Sequence, residues 1–316
     1  MSTCTKVSRD LDEPLAGTAA TARTWLLLEQ PGPWGARALT SSHLDPDLGR
    51  TLEKATEGTG VRIALIRRPG RHADCHTVAE RKVYAAHTAP GNTWLHSATT
   101  SDPEQLLKLD FAALGGGASG TFDTVLDGRP HTGDPLALVC TNGKRDRCCA
   151  LLGRPLAAEL AASGVDGAWE VTHLGGHRFS PTLLVLPFGY AYGRAEAHTV
   201  KEVLQGVREG RVVTEGCRGS SAWERPGQAA ELAVRAATGE EAADTLTVVH
   251  TDGTAPRWEV TVAHTDGRIW RVTVAQGASL PPRQESCGSA LGSPARMDVL
   301  AVRELTRPAV AALVAR

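Results

Sequence analysis

Short apolar runs, set apart by Gly, Pro and charged residues, divide the chain into strand-sized and helix-sized segments. Thr24 to Glu29 predicts a strand, broken by Pro31-Gly32-Pro33-Trp34-Gly35. Apolar or small residues at Leu48, Leu52 and Ala55, with Asp45 or Asp47 as cap, predict a helix from Asp45 to about Glu57. Strands are expected at Val61 to Ile66, near Lys82 to His87 and near Thr93 to Ser97, and a helix near Pro103 to Leu114. The glycine-rich stretch Gly115 to Gly120 then reads as a joint between domains.

The same β-α-β-β-β-α order returns after it. Leu136 to Val139 has the composition of a buried strand, Cys149 to Ser163 of a helix, Ala168 to Thr172 and Thr182 to Leu186 of strands. Tyr190 to Gly193 is a short third strand and Ala195 to Glu209 a closing helix. Two consecutive segments in this order match a thioredoxin-like plan, a mixed sheet with helices on both faces.

The last hundred residues differ in kind. A helix from about Arg225 to Thr238 precedes β-type runs at Thr245 to His250, Arg257 to His264 and Ile269 to Ala275. Asp266-Gly267 supplies a hairpin turn, and Trp258, Val260 and Val262 alternate with polar neighbours, as do Trp270, Val272 and Val274. The expected fold class is α/β: two thioredoxin-like domains in tandem, residues 1–120 and 121–212, with a C-terminal helix plus antiparallel β extension over 213–316.

At 316 residues the chain is long enough for more than one core, and with 41 % apolar and 22 % charged residues it can fold as a globule. Its longest apolar runs are strand-sized, far below the roughly 18 to 20 residues of a membrane helix. No apolar segment precedes the acidic Asp10-Leu11-Asp12-Glu13, so a cytoplasmic location is expected. The formal charge of -1 gives no electrostatic case for nucleic acid or an anionic membrane.

Seven cysteines, odd in number and scattered, argue against a disulfide framework and for metal or redox use of some of them. Cys4, Cys75, Cys217 and Cys287 stand alone and read as small buried apolar residues. Cys140 and Cys149 are separated by eight residues, and His173 and His177 by three, in the run Thr172-His173-Leu174-Gly175-Gly176-His177. Two thiolates and two imidazoles can close a metal centre, with iron-sulfur and zinc chemistry both open.

Cys140 ends a predicted strand and Cys149 begins a predicted helix, whose positive end favours a thiolate, as do Lys144, Arg145 and Arg147. Gly175-Gly176 lets the chain turn tightly and bring His177 back beside His173. Cys148 competes with Cys149 for the ligand role; the helix-start position favours Cys149, leaving Cys148 a packed neighbour, a spare thiol or half of a vicinal disulfide.

The strings Cys140-Thr-Asn-Gly-Lys-Arg-Asp-Arg-Cys-Cys-Ala, Val171-Thr-His-Leu-Gly-Gly-His-Arg-Phe and Leu186-Pro-Phe-Gly-Tyr-Ala-Tyr-Gly resemble the sucrase/ferredoxin-like family, a branch of the thioredoxin-like 2Fe-2S ferredoxins. The resemblance is specific over residues 137 to 194. It implies an electron carrier with a 2Fe-2S cluster, one iron on Cys140 and Cys149 and the other on His173 and His177. It also implies a redox protein as electron donor or acceptor, and no catalytic residue of the chain's own. Imidazole in place of two thiolates raises the potential and couples it to protons. Arg178 and the Lys144 to Arg147 loop would tune that potential and dock the partner.

Two other classes stay in view. A thiol-disulfide or peroxide-reducing enzyme could use Cys148 or Cys149, but the Cys-x-x-Cys pair is absent and the histidines are left unexplained. A structural zinc module accepts Cys2His2, although eight residues between cysteines is wider than the usual spacing of roughly two to four. Gly115-x-Gly117-x-x-Gly120 follows a predicted helix instead of a strand, which sets nucleotide binding aside. His72 and His76, flanking Asp74 and Cys75, read as a solvated loop. Asp146 and Glu170, in unrelated contexts, do not make the opposed carboxylates of glycoside hydrolysis.

Overall fold

A computed structural model describes residues 3–70 and 79–305. A short helix, α1 (Cys4–Asp10), is capped by Thr3, whose hydroxyl accepts from the Lys6 amide at 3.2 Å. β1 (Thr24–Glu29) follows its predicted span, with Trp25 and Leu27 in one apolar core and Leu26 and Leu28 in another. Successive side chains point to opposite faces, so an unbroken apolar run means a strand covered on both sides.

α2 (Pro46–Thr56) starts where the Asp45 carboxylate accepts from the amides of Asp47 and Leu48, and it buries Leu48 and Leu52. β2 (Val61–Arg67), β3 (Arg81–His87) and β4 (Trp94–Thr100) come next. The single helix expected near Pro103 to Leu114 is two pieces, a 3-10 turn at Pro103–Lys108 and α3 (Phe111–Gly115). Leu109 is extended between them and Asp110 opens the second piece, accepting from the Ala113 amide at 3.0 Å. The glycine run then joins α3 to α4 (Gly120–Leu126), and a Cβ on Gly115 would strike the carbonyl oxygen of Thr59. β5 (Arg129–Pro130) closes this half against β4.

In the second half β6 (Leu136–Cys140) leads to a π-helical turn at Cys149–Gly153 that runs into α5 (Arg154–Ala162). β7 (Ala168–Val171), β8 (Leu183–Leu186), β9 (Tyr190–Tyr192), α6 (Ala197–Arg208) and β10 (Cys217–Ser220) complete it.

All ten strands form one mixed sheet in the order β10-β9-β8-β6-β7-β2-β1-β3-β4-β5. The arrangement repeats: β1 is parallel to β2 and antiparallel to β3, and β6 is parallel to β7 and antiparallel to β8. The halves meet where β2 and β7 pair antiparallel through Ile66 with Val171 and Arg67 with Glu170. Arg67 and Glu170 also form a buried ion pair at 2.7 Å across that seam.

α7 (Arg225–Thr238) links this sheet to a second one, made of β11 (Leu246–Thr254), β12 (Arg257–His264), β13 (Ile269–Ala278) and, after the short hairpin of β14 (Arg283–Gln284) and β15 (Leu291–Gly292), β16 (Ala295–Glu304). Ala230 and Val234 of α7 pack on Val260, Val262, Trp270, Val272 and Val274, the inward positions of the predicted alternation. Gly267 takes φ +92° in the hairpin turn. On its other side α7 is held to β9 by a buried network in which Tyr190 donates to Glu231, and Arg235 bonds both at 2.9 Å. Among the described residues no helix is long and apolar enough to cross a membrane.

Candidate metal centre

The parallel strands β6 and β7 deliver their C-terminal ends side by side, with Cys140 level with Val171. The Cys140 thiol donates to the carbonyl oxygen of Thr172 at 3.0 Å. The loop after β6 returns at Cys149, where the absence of a side chain at Gly153 lets the helical turn press against the carbonyl of Cys140. After β7 the chain reaches His173, turns through Gly175 and Gly176, both at positive φ, and comes back at His177.

This turn brings the four predicted residues together. Cys149 Sγ is 3.3 Å from His177 Nδ1, and the rings of His173 and His177 stack with centroids 4.6 Å apart. Nδ1 of His173 is buried without a hydrogen-bond partner. A buried nitrogen without a partner costs roughly 1 to 3 kcal/mol, which a ligated ion would recover.

Electrostatics divides the two thiols. A hydrogen bond from Cys149 holds the Cys140 thiol well below its ordinary range against the cost of burial, with His173 helping. The same hydrogen bond, together with burial, pushes Cys149 up. Cys140 is therefore the thiol that ionises first, and metal binding would release the protons that both still hold. Burial and the neighbouring His173 keep His177 below the ordinary imidazole value, so it is neutral at pH 7, as a ligand must be.

Buried cations brace the turn. Arg218, on β10 and 1 % exposed, donates to the carbonyls of Gly175 and Thr18 and to the Thr18 hydroxyl. Burial, then the nearby charge of Arg178, lowers its pKa to about 10. Arg62 on β2 donates to the carbonyl of His173 at 2.7 Å. Arg178, expected to serve docking, is buried and bonded to Glu13 at 2.7 Å, so it is not presented to a partner. Lys144, Arg145 and Arg147 are exposed, as docking residues would have to be.

His173 is half-buried and lines an open groove of about 1250 Å³. Six cations border the groove, Arg23, Arg37, Arg50, Lys54, Arg62 and Arg145, against the carboxylates Glu53, Glu57 and Glu224.

Asp146 was not expected at the centre. It is buried in the loop, and its carboxylate lies within 4.8 Å of both Cys149 Sγ and a His177 ring nitrogen. It also accepts the Cys148 amide at 2.8 Å and the Cys287 amide at 2.7 Å. Cys148, Cys4 and Cys287 converge next to it. Cys217 packs in an apolar core, as its isolation suggested, with burial pushing its thiol up to about 12. Cys75, with His72, Asp74 and His76, lies outside the described residues.

Thiolate and imidazole donors, buried and converging with an unpartnered nitrogen, fit zinc or an iron-sulfur cluster and suit neither calcium nor magnesium. No curated protein and no solved structure is detectably similar to the chain. The sucrase/ferredoxin-like family does match, over residues 15–219, a span that runs from the segment before β1 to β10 and holds Cys140, Cys149, His173 and His177; the chain belongs to that family.

Proposed function

We propose that the chain is an electron carrier whose 2Fe-2S cluster is held by Cys140, Cys149, His173 and His177, on two thioredoxin-like units joined edge to edge. The observation that carries the reading is the convergence of these four side chains at the ends of β6 and β7, with the buried Nδ1 of His173 left unpartnered. The repeated strand order supports the two-unit reading. When bound, the cluster would take up and release one electron, at a potential raised by imidazole ligation toward roughly -150 to +300 mV.

The chain's own residues set the conditions for that exchange. Cys140 ionises more readily than an ordinary thiol and His177 is a neutral imidazole, which suits both to a metal. The Gly175-Gly176 turn, gripped by Arg218, fixes the approach of the two rings. His173 borders the groove and is the proposed ligand nearest to solvent there. The basic rim suits an acidic redox partner, whose approach it would accelerate.

Anaerobic purification with iron, sulfide and zinc analysis and a visible spectrum tests the reading. Iron and sulfide near two each are expected, with a midpoint that falls as pH rises by about 59 mV per unit if one proton accompanies the electron. A flat midpoint across roughly pH 6 to 9 removes the proton coupling. Stoichiometric zinc without sulfide removes the cluster in favour of a single ion, a reading that the closeness of Asp146, Cys149 and His177 favours.

A further inference from the structure

Three cysteines from distant parts of the chain meet beside the cluster loop. Cys4 of α1, Cys148 of the loop and Cys287 of the segment between β14 and β15 form a triangle of sulfurs: Cys4 to Cys148 3.6 Å, Cys4 to Cys287 3.5 Å and Cys148 to Cys287 3.2 Å. We propose that they bind a zinc ion through three thiolates, with the Asp146 carboxylate as fourth ligand.

The geometry is that of ligands on one ion. Zinc-sulfur bonds of about 2.3 Å place the sulfurs of a tetrahedral site about 3.8 Å apart. The observed edges lie slightly inside that value, as thiols in mutual contact would before an ion spreads them. Ligand atoms of Cys4, Cys148, Cys287 and Asp146 all lie within 4.8 Å of one another. Each Asp146 oxygen accepts one backbone amide, from Cys148 or Cys287, and keeps a lone pair for a metal. These bonds fix the carboxylate between two of the three ligand segments.

Ordinary packing does not account for the triangle. Cys4 and Cys148 are buried, yet neither they nor Cys287 belongs to any of the four apolar cores, whereas Cys140, Cys149 and Cys217 do. A disulfide would use two of the sulfurs and leave the third and Asp146 without a role. Three thiolates and a carboxylate select a thiophilic divalent ion, and the half-buried Cys287 gives it a way in. Binding involves no electron transfer: each thiol that is still protonated loses its proton to solvent as its bond to zinc forms.

The site uses none of the four proposed cluster ligands, although Asp146 also adjoins Cys149 and His177, so variants of Cys4 and Cys287 on one side and of Cys140 and Cys149 on the other tell the two apart. Metal analysis of the full chain, and Co2+ as a spectroscopic substitute for zinc, are compared among the wild type, Cys4→Ser, Cys287→Ser and the double variant Cys140→Ser/Cys149→Ser. One equivalent of zinc is expected in the wild type and in the double variant, with thiolate-to-cobalt absorption on exchange. Cys4→Ser and Cys287→Ser should each lose that zinc and absorption while keeping any iron and its visible spectrum. Iron-free protein that holds zinc sensitive to Cys4→Ser leaves this inference standing and sinks the proposed cluster instead. The zinc site is overturned by a wild type that takes up neither zinc nor cobalt, by zinc that survives both single variants, or by a Cys148–Cys287 disulfide in anaerobically isolated protein.

Discussion

Cys149 Sγ lies 3.3 Å from Nδ1 of His177, although 28 residues separate them. The contact joins the start of the helix after β6 to the turn after β7, and it requires both halves of the ligand set to be built on one pair of parallel strands. Cys149→Ser or His177→Ala should therefore abolish the visible absorption of the proposed cluster while far-ultraviolet circular dichroism stays native. Replacing both histidines by cysteine should keep iron but move the midpoint toward the all-thiolate value of about -400 mV. An unchanged midpoint in that variant would exclude the imidazoles as ligands.

The two glycines of the turn should behave differently. Both are at positive φ, so either alanine carries backbone strain of roughly 1 to 2 kcal/mol. A Cβ at Gly175 meets open space, whereas at Gly176 it collides with the guanidinium of Arg218. Gly176→Ala should then lower the melting temperature more than Gly175→Ala and load less iron. Equal effects in a thermal scan would show that Arg218 does not constrain the turn.

Glu13 accepts from two buried arginines, Arg178 at 2.7 Å and Arg283 at 3.0 Å. Glu13→Gln leaves the buried Arg283 without its carboxylate and Arg178 with only the exposed Glu285, a change worth about 3 to 5 kcal/mol. Denaturant titration should show that loss. Limited proteolysis should find the N-terminal segment and the hairpin of β14 and β15 cut first, because Glu13 ties them together through Arg283.

His87 is 3 % exposed, with Nδ1 2.8 Å from the Thr24 hydroxyl oxygen. Burial, then the charge of Arg23, lowers its pKa below the ordinary 6.5. Above that pH both folded and unfolded chains carry a neutral ring and stability is unaffected. As pH falls below it, the unfolded chain takes up a proton that the fold resists, and stability drops by about 1.4 kcal/mol per unit until the depressed folded value is reached. His87→Asn should flatten melting temperature against pH below about 6.5; a profile parallel to that of the wild type would assign the acid sensitivity elsewhere.

The strands of both halves were legible because burial on two faces leaves unbroken apolar runs, as at Trp25 to Leu28 and Leu136 to Cys140. Helix starts were legible where a carboxylate caps them, as at Asp45. β10 was not, because Cys217-Arg-Gly-Ser has no apolar pattern and becomes a strand only by pairing with β9. β16 carries no sequence signal either, being an edge strand whose mostly exposed side chains have little periodicity. The four predicted ligands lie within 38 residues, so their spacing was readable. Cys4 and Cys287 reach Cys148 across 144 and 139 residues, and nothing local to either marks it as more than a small apolar residue. Asp146 was hidden by its setting among Lys144, Arg145 and Arg147, where one buried acid looks like part of a charged loop.

The seam between β2 and β7 places Val171, and with it His173, in the middle of a ten-stranded sheet instead of at an edge. The half that contains none of the four proposed ligands therefore stands over them: Arg23, Arg37, Arg50, Lys54 and Arg62 all come from it and wall the groove at His173. Most of the groove's charge is carried by residues 23–62, so relatives with identical ligands could differ in the molecules they admit by what they carry there.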